Sequence, residues 1–127
     1  MVYSIDLMFE RFRKERGAIQ IVRELPAKAL LGISYENNKL TAGRYSHMLV
    51  TIRDNHNLED QVLSVIHEWL HLEQPFVQYL PKVPESIEWL IESTSEELYC
   101  QDPEGVFLVR QLLDEAHKVK PEKYFVP

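Results

Sequence analysis

The chain has 127 residues, 45% of them hydrophobic and 27% charged, with a formal net charge of −6. That suits one domain over 1–127 with a real core. The acidic balance, with no basic cluster, argues against nucleic acid as a main partner. No apolar run reaches the roughly 18 residues of a membrane span, and no basic-then-apolar leader opens the chain, so no membrane contact and no secretory signal are expected. A single cysteine, Cys100, builds no internal disulfide; it suits a reducing cytoplasm and a place in the core.

Residues 4–16 read as a helix, with Ser4 as cap, Ile5, Met8, Phe9 and Phe12 on one face, and Gly17 as the stop. Strand-like stretches follow at 18–25 and 29–35, broken by Pro26, and at 40–45 and 48–53, the last being the better strand. They predict a three- or four-stranded twisted sheet, antiparallel or mixed. His47 and His56 flank the last strand and read as loop residues. A helix over 57–72 comes next, with Asn57 as cap and Leu58, Val62, Val65, Ile66, Trp69 and Leu70 at helical spacing. Pro75, Pro81 and Pro84 make 73–84 an ordered loop. A helix over 85–100 follows, with Ile87, Leu90, Ile91, Thr94 and Leu98 as its stripe. Asp102 and Pro103 then start a last helix running to about Lys118. The fold class is α+β, a small sheet against about four helices.

The stretch around which the rest is organised is His67-Glu68-Trp69-Leu70-His71. Histidines four apart lie one above the other on a helix, and a Zn²⁺ ion with Zn–N bonds of about 2.0–2.1 Å can bridge them. Glu68 sits beside them as a general base. Two surface histidines on an amphipathic helix are the rival reading. A catalytic zinc takes a third protein ligand, and the glutamates of the 85–100 helix are best placed. Glu88 and Glu97 border the apolar stripe most closely, so periodicity favours Glu88. Burial of Trp89 and Tyr99 would rotate the inner face toward Glu92.

The segments 57–72 and 92–100 resemble the two metal helices of the gluzincin metallopeptidases, in which a glutamate ligand on a second helix is often followed by an acid four residues later. Glu92-Ser93-Thr94-Ser95-Glu96 has that form. The short length and the order helix, sheet, metal helix, glutamate helix resemble the minigluzincins in particular. The resemblance implies a zincin-like domain, with His67, His71 and Glu92 as zinc ligands, Glu88 and Glu96 as competitors, and Glu96 orienting a histidine. It implies a zinc endopeptidase acting on peptides or unfolded protein, with Glu68 taking a proton from water. Tyr99, His117 and Tyr79 are candidates for a further donor, unranked by the sequence, and Tyr99 is taken as the catalytic one. An extended peptide would add along the edge of the 48–53 strand. The resemblance also implies latency, through self-association or through 119–127 plugging the cleft with Tyr124, Phe125 and Val126; a flexible tail is the alternative. A zinc-bearing domain without peptidase activity, serving assembly, is the competing function.

Overall fold

The computed structural model describes residues 3–24, 32–33, 48–55, 57–80 and 82–127. The element order is α1 (Ile5–Lys14), β1 (Ala18–Val22), β2 (Gly32–Ile33), β3 (Leu49–Arg53), α2 (Leu58–His71), α3 (Glu85–Gln101), α4 (Pro103–Val119) and β4 (Tyr124–Phe125), with a 3-10 turn at Phe76–Tyr79 after α2. This is the α+β class read from the pattern. The expected strand at 40–45, and His47 and His56, lie outside the described residues.

Each helix start follows from its first residues. The Ser4 hydroxyl accepts from the amide of Leu7, the Asn57 carboxamide accepts from Glu59 and Asp60, and the Asp102 carboxylate accepts from Gly105, so orphan amides are satisfied at all three. α1 ends with Arg16 in the left-handed region, at φ 58°. Gly17 serves a different purpose: a Cβ there would enter the Phe12 ring.

The sheet order is β2-β3-β1-β4. β1 and β3 run parallel, with Ile19 opposite Val50 and Ile21 opposite Ile52; β2 lies antiparallel to β3, and β4 antiparallel to β1. Ile19, Ile21, Val50 and Ile52 turn to one core with Ile5, Met8 and Phe12 of α1, five apolar residues of α2, and Val109, Leu113 and Ala116 of α4. α2 is the central element. Val62, Val65, Ile66, Trp69 and Leu70 are all at most 1% exposed, each contributing roughly 1.5–3 kcal/mol of hydrophobic stabilisation.

Two expectations change here. β3 is an inner strand, paired on both sides, so its edge is not open to a peptide along its length; the outer position on that side belongs to β2. The C-terminal stretch is neither a plug nor a loose tail in this structure. Phe125 pairs with Ala18, the Val126 amide donates to the Gly17 carbonyl at 2.9 Å, and Val126 is 6% exposed. Gln20 donates to the Pro121 carbonyl and Lys120 reaches Asp54, both at 2.8 Å. Apolar Val126 gains more from the sheet's core than it would from solvent.

Candidate metal centre

α2 and α3 pack antiparallel. His67 faces Glu92 and His71 faces Glu88, a ladder in which each step up one helix is a step down the other. Continuing this register sets Ser64 against Ser95, at 7% and 0% exposure. Both are small, and each hydroxyl is satisfied within its own helix: Ser64 donates to the Asp60 carbonyl and Ser95 to that of Glu92, both at 2.8 Å. Two small, self-satisfied side chains let the helices close up below the histidines.

The Nε2 atoms of His67 and His71 lie 3.2 Å apart. Two ligand nitrogens on one tetrahedral zinc stand about 3.3 Å apart, given Zn–N bonds of ~2.05 Å. Glu88 approaches the same point, with Oε1 2.5 Å from Nε2 of His71 and Oε2 3.5 Å from Nε2 of His67. Glu92 is on the other side of the His67 ring, its Oε2 accepting from Nδ1 at 2.6 Å. One ligand atom from each of His67, Glu68 and His71, an imidazole nitrogen from either histidine and a carboxylate oxygen from the glutamate, lies within 4.8 Å of the other two. Glu68 and His71 are buried, at 7% and 4% exposure. The donor set of two imidazole nitrogens and a carboxylate oxygen suits zinc, and the spacing of the nitrogens fits it.

The electrostatics agree with this convergence. Burial disfavours charge on His67, but the hydrogen bond to Glu88 and the fields of Glu68, Glu88 and Glu92 outweigh it and raise the pKa to about 8. Hydrogen bonds from His67 and His71 hold the Glu88 carboxyl well below the usual carboxylate range. A proton shared in this cage does in part what a cation would do. His71 lacks the support that Glu92 lends His67, since its buried Nδ1 has no hydrogen-bond partner among the described residues.

Compared with protein-family models the chain matches none, and comparison with curated proteins and with solved structures finds no match either. What this centre can do is read from its own geometry.

The structure brings together His67, Glu68, His71, Glu88 and Glu92. Glu92 sits against Nδ1 of His67, and Glu88 sits where the two Nε2 atoms meet. The pair of acids four apart is therefore Glu88 and Glu92, one turn earlier than Glu92 and Glu96; Glu96 is exposed on the outer flank of α3. Tyr99 shares a helix face with Glu88, yet eleven residues put it about 16 Å further along the axis. Its hydroxyl accepts from Arg110 at 3.4 Å, so it is not part of the centre. His117 bonds Gln61 at 2.8 Å, near the start of α2, and Tyr79 lies in the 3-10 turn. Cys100, expected in the core, is exposed, because it falls on the outer flank of α3 as that helix ends.

Proposed function

We propose that this chain is a zinc-dependent peptidase of the gluzincin kind, resembling the minigluzincins, with His67, His71 and Glu88 as the residues that hold the ion. The observation that carries this reading is the meeting of two Nε2 atoms 3.2 Å apart with a carboxylate oxygen 2.5 Å from one of them. When bound, zinc acidifies water and stabilises negative charge on a carbonyl oxygen. Glu68, next to the first histidine and buried, accepts a proton from water and returns it to the departing amine. Glu92 holds His67 with Nδ1 protonated, which leaves Nε2 free as a ligand. An extended peptide or unfolded segment is the substrate. Among the described residues, the outer edge for strand addition next to β3 is that of β2. A reducing cytoplasm belongs to the same proposal, since Cys100 has no second cysteine to pair with.

The test is metal analysis of the purified chain together with cleavage of an unfolded, casein-like protein. About one zinc per chain is expected, with cleavage that Glu68→Gln abolishes. Equal cleavage by both proteins would remove Glu68 from the reaction. The second reading, a zinc-bearing assembly domain without peptidase activity, is favoured by one observation: Tyr99 and His117 both stand away from the centre. Zinc uptake without any cleavage would select it.

A further inference from the structure

α3 carries five glutamates and no lysine or arginine. Glu88 and Glu92 are matched by the imidazoles of α2. Glu85 and Glu96 form no ion pair among the described residues. Like charges four apart on a helix repel, so Glu96 stands against Glu92 with nothing to offset it. Glu85 gains from the helix N-terminus, while Glu96 lies too far along the helix to do so.

Among these acids stands Trp89, 71% exposed. It follows Glu85 by four residues and precedes Glu92 by three, so it shares a face with both; Glu96, seven residues on, lies two turns along nearly the same line. Glu92, on that shared face, bonds His67 and so joins this flank to the centre. An indole left in water adds little to the core and is a poorer helix former than alanine. What an aromatic face bordered by unneutralised carboxylates attracts is a cation on a flexible stem: the ring draws it by its quadrupole and the carboxylates by charge.

We propose that the Trp89 flank of α3, with Glu85 and Glu96, receives a lysine or arginine side chain of the peptide lying across the metal centre. This rests on the peptidase reading and names its substrate class. A second copy of this chain is the poorer occupant, because two chains of net charge −6 repel.

The experiment uses the full chain carrying Glu68→Gln, so that bound peptide stays intact, and dye-labelled peptides that differ at one position: lysine, norleucine or glutamate. By anisotropy the lysine peptide binds about five-fold tighter than the norleucine peptide at low ionic strength, and the advantage shrinks as salt rises to ~0.3 M. Trp89→Ala and Glu96→Gln, both at exposed positions, each reduce the ratio of lysine to norleucine affinity by about half or more. Equal binding of lysine and norleucine peptides overturns the proposal, as does an advantage that survives both substitutions. Dimerisation that Trp89→Ala abolishes, in place of peptide discrimination, overturns it too. Zinc uptake and cleavage by the unsubstituted chain, measured alongside, separate the two readings. Cleavage with no basic preference removes the recognition flank and keeps the peptidase. Basic preference with no zinc uptake removes the peptidase and keeps Trp89 as a cation-binding residue.

Discussion

Glu88 and Glu92 are one helical turn apart and address opposite sides of the same imidazole. Replacing a ligand removes a metal–oxygen bond, whereas replacing the residue that orients a ligand loosens it. Glu92→Gln is therefore expected to weaken zinc binding about 10–100-fold, and Glu88→Gln to weaken it more, measured by competition with a chromophoric chelator. The reverse order would give Glu92 the ligand role. Protonation of His67 sets a pH dependence. Its raised pKa stabilises the metal-free fold fully below about pH 6.5, and that contribution is lost as pH rises through about 8. The lowered pKa of Glu88 contributes above about pH 4.5 and is lost on acidification. In chelator, the centre's contribution to resistance against urea should thus be greatest between about pH 4.5 and 6.5. Zinc, which needs the neutral ring, should bind progressively tighter up to about pH 8. A flat zinc affinity across that range would mean that His67 carries no proton to displace. At this scale the residue pattern left a choice that only packing resolves. The HEWLH spacing picked out the two histidines whose Nε2 atoms meet, with Glu68 beside them. Apolar periodicity pointed to Glu88, and the assumption that a tryptophan seeks burial turned the helix toward Glu92. Trp89 is in fact 71% exposed, and the simpler count describes the face that α3 turns to α2.

At the scale of elements, what sets the centre is how closely α2 and α3 approach. Ser64 and Ser95 permit that approach, so Ser95→Leu, placing a large side chain at a position 0% exposed, should separate the helices. A destabilisation of about 1–3 kcal/mol is expected, with a loss of zinc affinity larger than the loss of fold. The end of α1 offers a paired test. Gly17→Ala drives a methyl into Phe12, itself 2% exposed, and should cost about 1–3 kcal/mol. Arg16→Gly relieves a left-handed arginine and should leave stability unchanged or raise it by up to about 1 kcal/mol. Urea melts of the two variants check the pair. Gly17 was legible as a stop, but the left-handed residue is its neighbour, and the glycine is required by the Phe12 ring, five positions earlier and outside what a turn rule reads. Helices were easier to place than strands because caps and periodicity are local signals. Strand order is a long-range fact, so nothing near residues 48–53 marks β3 as an inner strand.

At the scale of the molecule, α2 joins core and centre, and a ligand of the centre should report on the fold. Zinc at a thousand times its dissociation constant should add about 4 kcal/mol to stability, seen as a rise in the melting temperature that a chelator reverses and that His71→Ala abolishes. No shift would mean that the ion, if taken up, binds elsewhere. Class and layout were legible because 45% apolar content and alternating element types leave few ways to build one core. The fate of the last residues was not legible, because a two-residue strand has no periodicity to read. Its pairing has a temporal consequence. Ala18 emerges early in synthesis, and Phe125, its partner, about a hundred residues later. One flank of β1 therefore stays unpaired until those residues are made, and a ribosome-bound chain halted before Tyr124 should leave the backbone at Ala18 and Ile19 open to proteases or chaperones that the finished domain resists.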